Sequence, residues 1–175
     1  MLKLNGTTIT DVKFNGTTLT KIIFNGVTVF QKIVENLAIT LTNSYKNVTG
    51  SFHTYDANAR LYTKIDTSLY KAIQFNVTES WITTNFASNT TYLKVVTYNQ
   101  GGYTLEESDI VDSIEICKCQ SNSSGVCTWT SQAGKWLTLN FSKTSGEVEL
   151  YVIGTGVSTV SQITYDLREA TLIAR

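Results

Sequence analysis

No proline occurs anywhere in the 175 residues, so the stiff, extended linkers that proline builds between independent domains have no counterpart here. Histidine occurs once, as His53, which leaves a His-dependent nucleophilic triad a single candidate base. No apolar run approaches the roughly eighteen residues that cross a bilayer as a helix. No basic stretch and apolar segment follow Met1, so a secretory signal is not expected either. Charged side chains make up only 16% of the chain, and the fourteen basic and fourteen acidic residues cancel. A chain without net charge has no long-range field to collect a polyanion, so neither nucleic acid nor a membrane surface is an expected partner. The sequence also lacks a Gly-X-Ser-X-Gly elbow and a phosphate loop.

What the chain does have is threonine, serine and asparagine in abundance, together with 11% aromatic residues. That mixture suits half-buried strands whose outer faces carry hydroxyls, and it predicts an all-β protein. The first thirty residues repeat a phrase, an apolar residue followed by Asn-Gly, with glycines at Gly6, Gly16 and Gly26. A ten-residue spacing fits one strand and one turn and is too short for helical repeats. Asn-Gly is the strongest two-residue hairpin signal, because both turn positions need positive φ. Three hairpins are therefore expected, with Leu4 opposite Thr7, Val12 opposite Leu19, Phe14 opposite Thr17, Phe24 opposite Val27 and Ile22 opposite Val29.

Each hairpin presents one apolar face, and the shift in spacing between Ile9 and Val12, and between Leu19 and Ile22, calls for bulges at Thr10-Asp11 and Thr20-Lys21. A unit this small has no second layer to cover such a stripe. Leu4, Ile9, Val12, Phe14, Leu19, Ile22, Phe24 and Val29 are accordingly expected at an interface between identical chains, with a trimer favoured and packing on the chain's own second domain the alternative.

The period ends near Lys32, which divides the chain into a hairpin-repeat segment at 1–34 and a second domain at 35–175. Nine apolar or β-branched runs follow, from LAITLT through SFHTY, YKAIQFNV, YLKVVTYN, SIEICKC, CTWTS, KWLTLNF and EVELYVIG to ITYDLREATLIA. Short strands at near-regular spacing predict a β-sandwich or barrel. The three cysteines share ICKCQSNSSGVC, where Cys117 and Cys119 fall on one face of a strand and Cys127 returns beside them. A hairpin disulfide and a thiolate metal site are both open readings, but reduced cysteines are expected, and no cofactor is. Carboxylate pairs such as Asp109 with Asp112, or Glu147 with Glu149, are of a kind any β protein offers, and the acidic turn at Glu106–Asp109 lacks a regular ligand spacing. No enzyme is expected.

KFNGTTLTKIIFNGVTVF resembles the tandem Asn-Gly repeats at the beginnings of tailed-bacteriophage virion proteins, which precede a globular β domain in tail, baseplate, fibre or capsid-appendage components. That resemblance implies a multimeric structural protein of the virion, assembled in the host cytoplasm, with other virion proteins as partners and its distal domain facing outward. The closing strands EVELYVIGTG and ITYDLREATLIA, with the tryptophan-bearing strands before them, are similar to the jelly-roll sandwiches of carbohydrate-binding modules. Host-surface glycan is the partner this second resemblance implies. Exposed aromatic rings are its physical requirement, and among Trp81, Trp129, Trp136, Tyr98 and Tyr103 the turn-rich settings favour Trp81 and Tyr103. A glycan-degrading enzyme is the remaining alternative.

Overall fold

A computed structural model of the chain describes all residues except 1–2, 6, 10–11, 15–16, 20, 32–33, 54–57, 84–89, 100–106, 122–126 and 157–158. The fold is all-β, and among the described residues every strand pairing is antiparallel. The chain divides into two compact units, Met1–Glu35 and Asn36–Arg175.

The first unit holds three hairpins: β1 (Lys3–Leu4) with β2 (Thr7–Thr8), β3 (Val12–Phe14) with β4 (Thr17–Leu19), and β5 (Lys21–Phe24) with β6 (Val27–Gln31). Each is its own two-stranded sheet. At the third turn Asn25 and Gly26 take φ values of 48° and 77°, the mirror-image turn that two-residue hairpins need. Leu4 pairs with Thr7, Val12 with Leu19, Phe14 with Thr17 and Phe24 with Val27, as the turn rule requires. One pairing differs. Ile22 lies opposite Phe30, because a register shift between Ile22 and Ile23 takes Val29 out of the ladder. Of the positions where bulges were expected, Thr10, Asp11 and Thr20 lie outside the described residues.

Among the described residues the second unit is a β-sandwich of ten strands. They are β7 (Leu37–Ile39), β8 (Tyr45–His53), β9 (Ala59–Asp66), β10 (Tyr70–Thr83), β11 (Thr90–Asn99), β12 (Ile110–Ser121), β13 (Cys127–Ser131), β14 (Lys135–Asn140), β15 (Glu147–Thr155) and β16 (Thr159–Ala174). One sheet runs β14-β10-β16-β7, with β8 pairing the other half of β16, so β7 and β8 share one edge. The second sheet runs β13-β12-β11-β15-β9. The strand that alternation does not mark is β9, where the two buried residues, Leu61 and Ile65, are separated by exposed Thr63 and Lys64.

Between the sheets lies one core, drawn from both. Ile73, Phe75, Val77, Ile163, Tyr165 and Leu167 come from the first sheet, and Leu93, Val95, Ile116, Leu150 and Val152 from the second. Each such side chain contributes about 1.5 to 3 kcal/mol of burial, so the sandwich has an ample core of its own. A bulge in β16 sets Phe75 opposite two residues, Glu169 and Ala170, and Glu169 adopts φ 52° to make it. The segments ESDIVDSIEI and YDLREATLI, which could have been helical, are a single 3-10 turn at Glu107–Asp109 followed by strand, and strand throughout.

Candidate functional site

Among the described residues two surfaces combine exposed aromatic or apolar side chains with regular backbone support. On the hairpin unit, Phe14 and Phe24 are each 68% exposed, Val27 63% and Ile23 57%. Phe24 and Val27 are directly opposite each other at the tip of the third hairpin, so their exposed side chains form one apolar patch. Val29 is 37% exposed, while Ile9, Val12, Leu19 and Ile22 are half-buried and Phe30 is buried. The side chain of Leu4 lies outside the described residues.

The second surface is the outer face of the sheet that contains β10. Register fixes which side chains share it. Across β14, β10 and β16, one row reads Trp136, Asn76 and Arg168. Across β10, β16 and β8, the next reads Glu79, Asp166 and Tyr45, and the one after it Trp81, Thr164 and Asn47. Their strand neighbours Val77, Tyr165 and Leu167 point the other way into the core, which is why the face can be polar. Tyr45 is 58% exposed and Trp136 49%. The Arg168 guanidinium donates through Nε and Nη2 to both oxygens of Asp166 at 2.8 to 3.1 Å and holds that carboxyl below its ordinary range. Thr164 donates to Asn47 Oδ1 at 3.3 Å.

At one margin of this face the two sheets are joined. The hydroxyl of Ser131 on β13 donates to the Ser80 carbonyl at 2.8 Å, and that of Ser80 on β10 to the Ile116 carbonyl at 2.7 Å. Beside this junction Trp81 and Trp129 pack with ring centroids 4.1 Å apart and planes tilted by 56°, leaving Trp129 42% exposed. Where β7 gives way to β8, a groove of about 250 Å³ opens beside the β16 bulge, lined in part by Ile39, Leu41, Ser44, Arg168 and Glu169.

The remaining sequence candidates are dispersed. Tyr98 is buried, packed edge-on against Tyr151 at 5.4 Å in a small cluster with Val96 and Ile153, and so is no surface ring. Tyr103 lies outside the described residues, as do Glu106 and the side chain of His53. Asp112 accepts the Ser142 N–H at 3.1 and 3.2 Å and the Thr97 hydroxyl at 3.1 Å, a strand-end link, while Asp109 is exposed. Glu147 pairs with Lys64 at 2.8 Å, and Glu149 accepts the Tyr151 hydroxyl at 2.6 Å. Each of these last two carboxylates already holds a partner. Cys117 and Cys119 both face the core, and Cys127 falls opposite Ser121, out of register with either. Burial pushes the Cys117 thiol up to about 12. No group of three or more metal-ligating side chains occurs among the described residues.

Trp136 and Tyr45 carry more exposed ring area than Trp81. Their strands are edges of the sheet, and the polar alternation KWLTLN already puts Trp136 on the side away from Leu137 and Leu139. Comparison with family models, curated proteins and solved structures finds no match to this chain.

Proposed function

We propose that this chain is a non-enzymatic structural component of a bacteriophage virion, in which the hairpin unit assembles identical chains, as a trimer, and the sandwich is presented outward. The observation that carries the reading is the exposure of four large apolar side chains, Phe14, Ile23, Phe24 and Val27, within one unit of 35 residues. Large apolar side chains in that proportion, on paired two-stranded sheets that are marginal alone, call for burial against another surface. A symmetric interface between copies supplies such a surface at no further sequence cost. The virion setting rests on the likeness of the repeats to those of tailed-phage structural proteins.

Sedimentation velocity on the full chain tests it. The parent should sediment as a discrete oligomer, and the double variant Phe14→Ala with Phe24→Ala should shift to the monomer while its far-ultraviolet spectrum stays strand-like. A parent that is monomeric throughout a wide concentration range overturns the reading.

A further inference from the structure

We infer that the outer face of the β14-β10-β16-β8 sheet is a carbohydrate-binding site, taking a neutral or amino-sugar oligosaccharide laid along the strands between Trp136 and Trp81. This inference stands apart from the assembly role of the hairpins and does not need it.

The first support is the kind of surface these residues make together. Exposed rings stand at three margins, Trp136 on β14, Tyr45 on β8 and Trp129 with Trp81 at the junction with the other sheet. Between them the described residues set Asn76, Thr78, Glu79, Asp166, Arg168 and Asn47, with Thr164 buried beneath and no aliphatic side chain. Protein interfaces bury their rings in an apolar core from which charge is excluded. Rings set singly among amides and carboxylates suit a ligand that is apolar on one face and hydroxylated at its edge, which describes a sugar ring.

Unused hydrogen-bonding capacity is the second support. Among the described residues, the indole N–H groups of Trp81, Trp129 and Trp136 donate to no acceptor, and neither the Asn76 amide nor the Glu79 carboxylate has a partner. Asp166, by contrast, is already engaged by Arg168. A ring of hydroxyls can use all of these at once.

Charge then selects within the class. Arg168 and Asp166 neutralise each other, and Glu79, directly opposite Asp166, is left as an uncompensated anion. Like charges facing across a ladder cost stability, so this pairing is a local expense that a hydroxyl-rich or cationic ligand offsets. Acidic polysaccharides are repelled by the same carboxylate. Length follows from strand geometry. Asn76, beside Trp136, and Trp81 are five positions apart on β10, which spans roughly 15 Å at the usual rise. That is room for a chain of several sugar units and too long for a monosaccharide to touch both rings.

The test is affinity electrophoresis of the full chain in native gels containing hydroxyethylcellulose, galactomannan, glycol chitosan or heparin. At least one of the first three should retard the parent, and heparin should not. Trp136→Ala and Tyr45→Ala should each weaken that retardation, the loss of a stacked ring being worth about tenfold in affinity. Glu79→Gln should lower the preference for glycol chitosan. Thermal unfolding of each variant guards against misfolding, and the exposure of Tyr45 keeps its variant informative if Trp136→Ala is unstable. Absence of retardation by all three polysaccharides overturns the inference. So does a preference for heparin, or retardation that survives both ring substitutions. If the ring substitutions instead lower the sedimentation mass, the face is a contact between copies and the carbohydrate site is wrong.

Discussion

Ser131 and Ser80 meet across the sandwich: the Ser131 hydroxyl lies 2.8 Å from the Ser80 carbonyl and 2.7 Å from the Ser80 hydroxyl, and its one proton serves one of these acceptors at a time. One residue belongs to β13 in one sheet and the other to β10 in the opposite sheet, so the pair closes the sandwich where β14 has ended. Ser131→Ala should destabilise the sandwich by about 1 to 3 kcal/mol, because a buried Ser80 group loses its partner. The double variant with Ser80→Ala should cost less than the sum of the two single ones. Strict additivity in urea unfolding would mean that the two hydroxyls do not act together.

Glycine at 156 answers a different constraint. Its φ is 105°, and a Cβ there would run into the Thr90 carbonyl oxygen and the Thr91 Cα, both backbone atoms that cannot rotate away. Gly134, at φ 78°, has open space around the same position. Gly156→Ala should therefore cost about 2 kcal/mol or more. Gly134→Ala should cost about 1 kcal/mol, from backbone conformation alone. Equal losses of melting temperature would refute the steric account.

Alkaline pH should weaken the sandwich in two stages. Burial raises the Cys117 thiol from 9.0 to about 12 and the Tyr165 hydroxyl from 10.0 to about 12. Both groups are neutral when protonated, so their folded forms hold the proton more tightly than the unfolded chain does. The stability they contribute is complete below their ordinary values and is lost as pH rises towards 12. Melting temperature should hold to near pH 9 and then fall, and Tyr165→Phe should flatten the part of the fall above pH 10. An identical alkaline limb in parent and variant would remove Tyr165 from the explanation.

Thiol chemistry gives a companion expectation. With Cys117 and Cys119 both buried, neither should react with a maleimide at neutral pH until the chain unfolds. Peptide mapping by mass spectrometry after native labelling checks this, and modification of either residue in the folded protein would contradict the placement of β12.

The third hairpin shows how far sequence could lead. Asn25-Gly26 dictates a two-residue turn, and that alone aligns Phe24 with Val27. The same rule misaligns Ile22, because the bulge that brings it opposite Phe30 has no residue-type signal: every position from Val27 to Gln31 is an acceptable strand residue. In the sandwich, strict alternation made YKAIQFNV and EVELYVIG legible, whereas ARLYTKID hides its two inward residues between cationic and polar neighbours. The surface of Trp136, Glu79 and Tyr45 was harder still, since its members are brought together by pairing partners as many as 121 residues apart, such as Asp166 and Tyr45. Tyr98 misled for another reason: β11 is buried on both faces over Val95–Tyr98, so an alternating position there need not reach water.

The longest strand, β16, stands between β10 and the shared β7 and β8 edge, and its residues Leu172 and Ile163 pair with Leu37 and Val48 far earlier in the chain. During synthesis, then, β7, β8 and β10 emerge with their central neighbour still unmade. Half of the sandwich must wait as unpaired edges until residues 159–174 are free to slot between them. Closure of such distant contacts is slow, and waiting edges invite pairing with other nascent chains. The order in which this polypeptide is made therefore concentrates its risk of aggregation in the interval before β16 arrives.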